Sequence, residues 1–172
     1  MPGSKAVTTD RTARHAPGTR QARRVSALRK NSFGISAMLL VQYGLGMGVN
    51  LYARVPAADR GAGVIAALGR ALTSQPVVLA VHAALGLLML VAGVSVLVRA
   101  ILARHPGAIT TSAVGLAAIF AAAFSGATFV GDGQDGASMA MAILTGVALL
   151  CYLANLLAVG RPAAVTGRTP DE

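Results

Sequence analysis

The chain has 172 residues, of which 55% are apolar and only 12% are charged, and its mean hydropathy is +0.65. An ordinary soluble domain carries roughly 25% charged residues, so this composition argues against one and indicates a membrane protein. The net charge of +9 does not indicate nucleic-acid binding, because aromatic residues make up only 4% and the basic residues flank the apolar runs. The lipid bilayer is therefore the expected partner, and nucleic acid is not.

The first 31 residues are rich in Lys and Arg and show no apolar periodicity. This composition predicts a disordered basic tail at 1–31, on the cytoplasmic side of the membrane. The pair Arg23-Arg24 suggests a twin-arginine export signal, but the apolar run that follows it is longer than the apolar region of a signal peptide. We therefore interpret the tail as a determinant of membrane topology.

The first predicted span covers 33–52 and contains glycine at Gly44, Gly46 and Gly48. Small residues four apart usually allow two helices to approach closely, so we expect the face of Gly44 and Gly48 to pack against another helix. Gln42 and Asn50 are eight residues apart in the same span. A polar amide in hydrocarbon needs a partner, so both side chains are expected to face the bundle interior.

A loop with one short helix is predicted to follow, and then three further spans. The loop helix is indicated by apolar residues at helical spacing, namely Val64, Ile65, Leu68 and Leu72. The remaining spans are predicted at 77–102, 109–130 and 137–159, with a disordered cytoplasmic tail at 161–172. The fold class is therefore all-α: a polytopic membrane protein whose domain, 32–160, is an up-down-up-down bundle of four transmembrane helices.

The distribution of basic residues predicts the orientation of the bundle. Twelve of the 15 Lys and Arg residues fall on the side of the two termini, and three fall on the other side. By the positive-inside rule, both termini lie in the cytoplasm and the spans cross the plasma membrane.

The apolar run of the predicted span at 77–102 contains a histidine, His82. An ionisable group in a span is a functional-site hypothesis by default. At a rise of about 1.5 Å per residue, His82 lies roughly 9 Å below the outer boundary. Polar side chains at a similar depth predict one outward-facing cluster, formed by Gln42, Asn50, His82, Ser125 and Ser138, with Thr128, Met47 and Met141 within reach.

Two interpretations of His82 stay open. In the first, His82 is an axial ligand of haem b, with Met47 or Met141 as further cofactor-binding residues, because His and Met both ligate haem iron. In the second, His82 is neutral and hydrogen-bonds Asn50, Ser125 or a backbone carbonyl. The other histidines, His15 and His105, lie outside the spans, so one chain cannot supply two histidine ligands at this depth.

The sequence gives less support to other functional classes. No Asp or Glu lies inside a predicted span, which argues against a proton-coupled transporter, and a four-span transporter would have to form a dimer. Ser-His-Asp, HExxH and GxSxG patterns are absent, so we assign no catalytic residue, and we predict no metal site. The leading interpretation is a small membrane-embedded binding or accessory subunit, with another membrane protein or a second copy as its partner.

Three segments carry a resemblance to known families: VQYGLGMGVNLY, VHAALGLL and FSGATFVGDGQDGASMAMA. Together they resemble a group of uncharacterised small bacterial four-span membrane proteins over about Ser32 to Gly160. The Gln- and Gly-rich first span, followed by His-x-x-x-Gly from His82 to Gly86, is also similar to one half of haem A synthase and to cytochrome b561-like bundles. In those families the histidines of the spans bind haem, which implies a haem-binding role for His82.

Overall fold

The computed structural model describes residues 17–52, 63–73, 77–132 and 135–160. Within these ranges the chain forms five helices: α1 (Pro17–Tyr52), α2 (Val64–Thr73), α3 (Val77–Ala103), α4 (Pro106–Asp132) and α5 (Asp135–Gly160). Four of them, α1, α3, α4 and α5, are long and apolar enough to cross a membrane. The predicted all-α fold with four spans is confirmed.

The four long helices form a closed ring in which each contacts two others. Helix α1 packs on α3 and α5, and α4 packs on the same two helices, while the short α2 contacts α3 and α4. Gln21 near the start of α1 contacts Ala103 at the end of α3, and Gln42 contacts His82 near the start of α3. Opposite ends of α1 and α3 are therefore adjacent.

The exterior of this ring is apolar. Leu150 and Leu157 of α5 are 68% and 70% exposed, and Val91 of α3 and Val114 of α4 are 65% and 48% exposed. Such exposure would be costly for a protein in water, at about 25 cal/mol per Å² of apolar surface. It is what helices surrounded by lipid require, and it agrees with the composition.

The predicted disordered tail at 1–31 is wrong for 17–31, which belong to α1. Proline is tolerated at the first position of a helix, where Pro17 lies, because that position has no helical hydrogen bond to lose. Tertiary contacts then hold the basic segment in place. Gln21 Nε2 donates to Ala103 O (3.0 Å), Arg24 donates to Leu102 O (3.0 Å), and Leu28 is 0% exposed.

The expected close packing at Gly44 and Gly48 is also wrong within this chain. A Cβ atom added at either position would meet nothing within 4 Å, whereas one added at Gly46 would lie 3.2 Å from His82 Cε1. The glycine that allows a close approach is therefore Gly46, which faces α3. The four-residue spacing correctly identified a bare helix surface but not the direction in which it faces.

The core is dense in one half of the bundle, at the end where α3 turns into α4. Its fully buried members include Leu28, Ile35 and Leu39 of α1 and Val96 of α3, together with Tyr152 of α5. Toward the opposite end, a separate small cluster contains the buried side chains of Val49 and Leu79. The bundle is therefore closely packed at one end and more open at the other.

The α3–α4 turn explains why the chain reverses at Arg104-His105-Pro106. Arg104 has a φ of 53°, and two hydrogen bonds form a Schellman motif: His105 N donates to Ala100 O (3.4 Å) and Arg104 N donates to Ile101 O (2.9 Å). His105 caps the N-terminus of α4, because its Nδ1 accepts a hydrogen bond from Ala108 N at 3.2 Å. The turn follows directly on the predicted end of the second span at 102.

Arg104→Gly is expected to stabilise the protein. Glycine adopts a positive φ without the steric cost that arginine incurs, so the free energy of unfolding should rise by roughly 0.5–1 kcal/mol. Unfolding in detergent measures the change. The control is Arg99→Gly, at an exposed position inside α3. Glycine there should lower the free energy of unfolding by a similar amount. Destabilisation by both substitutions would contradict the assignment of strain to Arg104.

Candidate functional site

A cavity of about 640 Å³ occupies the more open half of the bundle. Its walls come from positions 39–49 of α1, 79–90 of α3, 119–129 of α4 and 138–145 of α5. Most of the wall is apolar, and it includes the rings of Tyr43, Phe120, Phe124 and Phe129. Ligand pockets for small molecules typically measure about 300–1,000 Å³ and are mostly apolar, so the size and the lining are those of a binding site.

The cavity exists because small residues line much of the space between the helices. They are Gly46 on α1, Ala83 and Gly86 on α3, Ala122, Ala123, Gly126 and Ala127 on α4, and Ala142 on α5. On α4 these positions follow the i, i+4 spacing that places residues on one side of a helix. Large side chains at the same positions would close the cavity, as they close the core at the other end.

Gln42 and His82 form a hydrogen-bonded pair in the wall of this cavity. Gln42 Nε2 lies 2.9 Å from the His82 carbonyl oxygen and 3.2 Å from His82 Nε2. The carbonyl can only accept, so the Gln42 group facing it is the amide NH₂. The same NH₂ faces His82 Nε2, which therefore accepts. His82 is neutral in this arrangement and carries its proton on Nδ1.

Two buried atoms of the pair have no hydrogen-bond partner within the described part of the chain: Gln42 Oε1 and His82 Nδ1. Gln42 as a whole is only 7% exposed. A buried unsatisfied polar group costs about 1–3 kcal/mol, so each is a candidate for a partner outside the chain. The pair therefore has one unused acceptor and one unused donor.

The structure brings most of the predicted cluster to this cavity. Met47, Met141 and Ser138 line it together with Gln42 and His82. Ser125 does not join them: its hydroxyl donates to Ala121 O of its own helix (3.0 Å), and Ser125 is not among the described residues of the lining. The hydroxyl of Thr128 likewise donates within α4, to Ser125 O. The side chain of Asn50 lies outside the described residues.

The second interpretation of His82 anticipated a hydrogen-bonded neutral imidazole, and Gln42 is the partner. The sequence predicted both residues in one cluster but not as a pair, because the rotation of a helix does not follow from its hydropathy. The aromatic part of the wall was not predicted. Phe120 and Phe124, spaced i and i+4 on α4, were the available signal.

A second polar group joins α4 and α5 in the closely packed half. Asn155 is 0% exposed; its Nδ2 donates to Ser112 Oγ (2.8 Å), and the Thr111 hydroxyl donates to Asn155 Oδ1. Both polar atoms of the Asn155 side chain thus have a hydrogen-bond partner inside the bundle. We interpret this group as structural, since it lies away from the cavity.

The ring orientation of His82 bears on the haem alternative. An axial ligand must offer iron a nitrogen lone pair, but Nε2 accepts from Gln42, and the Cε1–Nδ1 edge faces Gly46. In this orientation the residues do not fit a haem iron. Among the described residues there is also no group of three or more His, Cys, Asp and Glu side chains that could hold a metal ion.

Neither a protein-family model, nor a curated protein, nor a solved structure matches the chain. The resemblances to small bacterial four-span proteins and to haem-binding bundles therefore stay predictions.

Proposed function

We propose that this chain is a multi-pass protein of a bacterial plasma membrane that binds an apolar, membrane-dissolved molecule in the cavity between its helices. Both termini face the cytoplasm in this proposal, because twelve of the 15 Lys and Arg residues then lie inside. The contacts between opposite ends of α1 and α3 support the up-down-up-down course that this orientation requires. The role is binding, without catalysis.

One observation carries the proposal: an apolar cavity of about 640 Å³ with an incompletely satisfied polar pair, Gln42 and His82, in its wall. An unpaired polar group in hydrocarbon is costly. A ligand that supplies the missing hydrogen bonds would recover that free energy. The apolar remainder of the wall would hold the rest of the molecule.

The chemistry of the pair indicates the class of ligand. Gln42 Oε1 needs a donor and His82 Nδ1–H needs an acceptor, and one hydroxyl group can satisfy both. An apolar molecule with a phenolic or alcoholic hydroxyl, such as a quinol, therefore fits best, with its ring against Phe120 and Phe124. Neither atom reaches the cavity surface in this conformation, so binding requires a rotation of the amide and the imidazole.

Thermal unfolding in detergent with the short-chain quinol decylubiquinol tests the proposal. A ligand at 100 times its Kd stabilises the folded state by about 2.7 kcal/mol, so the unfolding temperature should rise with concentration. Gln42→Met keeps the volume but removes the amide, and should weaken binding by about tenfold or more. Ala142→Phe should fill the cavity and abolish the response.

Ala154→Phe is the matched control, because Ala154 is exposed on the same helix and does not line the cavity. It should respond to decylubiquinol as the wild type does. An equal response of wild type, Gln42→Met and Ala142→Phe would place the probe outside the cavity and contradict the proposal.

An absorption spectrum of the purified protein, oxidised and then reduced with dithionite, tests the haem alternative. A Soret band and sharpened reduced α-bands that disappear in His82→Ala would replace the quinol proposal with haem binding. A flat visible spectrum, from cells supplied with ample haem, is the result that our proposal predicts.

A further inference from the structure

A groove on the outside of the bundle, between α1 and α5, combines positive charge with apolar surface. Its volume is about 630 Å³, and it is lined by Ser26, Arg29, Lys30, Phe33, Leu156 and Leu157. It lies at the end of α5, far along that helix from the residues of the cavity. Nothing in the proposed quinol site uses it.

The four groove residues of α1 follow the spacing i, i+3, i+4 and i+7, which places them on one face of the helix. Along this face the hydroxyl of Ser26 and the two cations come first, and Phe33 follows one turn later. Phe33 is 66% exposed and Leu157 is 70% exposed. The groove is thus polar and cationic at one end and apolar at the other.

The two cations of the groove are not neutralised by the described part of the chain. Its acidic residues are Asp132 and Asp135, at the end of α4 and the start of α5, which is the opposite end of the bundle. Arg24 donates to Leu102 O, but Arg29 and Lys30 are exposed and form no hydrogen bond or ion pair with a described residue. Their charges are available to an anion.

We propose that this groove binds an anionic phospholipid of the membrane leaflet at this end of the bundle. The phosphate lies between Arg29 and Lys30 with the Ser26 hydroxyl as a further donor, and an acyl chain covers Phe33, Leu156 and Leu157. Basic pockets between transmembrane helices are a common form of anionic-lipid site. The continuous apolar surface below the cations favours a lipid over a soluble phosphate, which would leave that surface uncovered.

Native mass spectrometry of the full chain in detergent, titrated with phosphatidylglycerol or phosphatidylcholine, tests the site. Phosphatidylglycerol should bind the wild type more tightly. The double variant Arg29→Gln/Lys30→Gln should bind it about 30-fold more weakly. Each Lys or Arg near an anionic headgroup contributes about 1 kcal/mol, and the loss of two corresponds to this fold-change. Phosphatidylcholine binding should be the same in both proteins.

The control double variant is Arg23→Gln/Arg99→Gln, which removes the same charge from exposed positions outside the groove. It should bind phosphatidylglycerol within about threefold of the wild type, because screening weakens charges that do not touch the lipid. An equal loss of phosphatidylglycerol binding in the two double variants would mean that the lipid responds to the overall charge of the protein, and would overturn the proposal. Binding of inorganic phosphate alone to the wild type, as tight as that of phosphatidylglycerol, would overturn it too.

Discussion

Gly115→Ala is expected to destabilise the bundle by about 1–3 kcal/mol, because it overfills a rigid part of the core. A Cβ atom at position 115 would lie 3.0 Å from Tyr152 Cε2, 3.1 Å from Tyr152 Cζ and 3.2 Å from Cys151 Cβ. Tyr152 is 0% exposed, so its ring has no free space into which to move. Unfolding by sodium dodecyl sulfate in mixed micelles measures the loss.

Gly44→Ala is the control for this substitution. A Cβ at Gly44 would meet nothing within 4 Å, so alanine should stabilise the helix by about 0.5–1 kcal/mol through its higher helix propensity. The two substitutions are chemically identical, and they differ only in what surrounds the added methyl group. Equal effects would show that the close contact at Gly115 does not exist.

Tyr152→Phe sharpens the test, because it removes only the hydroxyl group. A Cβ at Gly93 would lie 3.0 Å from Tyr152 Oη, whereas one at Gly115 would meet the ring carbons. The Phe variant should therefore partly rescue Gly93→Ala but leave Gly115→Ala unrescued. Rescue of both to the same extent would mean that the ring shifts freely, which contradicts a rigid core at this end.

Asn155→Ala is expected to destabilise the bundle by about 1–2 kcal/mol, the second largest effect of a single substitution that we predict. The change removes the hydrogen bond to Ser112 Oγ and leaves the Thr111 hydroxyl without its partner on α5. It also leaves a void at a position that is 0% exposed. The same unfolding experiment in mixed micelles measures it.

A double-mutant cycle with Ser112→Ala separates the hydrogen bond from the void. Hydrogen bonds between transmembrane helices show coupling energies of about 0.6 kcal/mol on average and up to roughly 1.7 kcal/mol. We expect a value in the upper part of this range, because Ser112 is also 0% exposed. Strict additivity of the two substitutions would show that the hydrogen bond contributes nothing.

The four spans could be predicted from the sequence because hydropathy and length alone determine which segments can cross a bilayer. The predicted span at 77–102 differs by one residue from α3, Val77–Ala103. The start of α1 could not be predicted in this way. Its first turns are held by Gln21 and Arg24, which donate to carbonyl groups at the end of α3, and such tertiary contacts leave no periodic pattern in the sequence.

The sequence indicated which residues lie at a similar level along the helices, but not how the helices are rotated. Counting residues placed Met47 within reach of His82, and the structure places Gly46 against the His82 ring. Depth follows from the rise per residue, which is constant along a helix. Rotation depends on which side chains pack against neighbouring helices. The sequence therefore did not show that His82 pairs with Gln42 rather than with Asn50 or Ser125.

The two halves of the bundle differ in a way that suits binding. The half with Tyr152 and Asn155 is closely packed and holds the helices together, so the other half can stay open around the cavity without separating the bundle. Substitutions in the first half should therefore change stability, and substitutions in the cavity wall should change ligand binding with less effect on stability.

The central claim is that the cavity beside Gln42 and His82 holds an apolar molecule of the membrane. Native mass spectrometry of protein released directly from its own membranes tests this most directly, without an added probe. We predict a bound small molecule of one defined mass on the wild type and on Ala154→Phe, absent from Ala142→Phe. Identical spectra for the three proteins, with phospholipid as the one bound species, would contradict the claim.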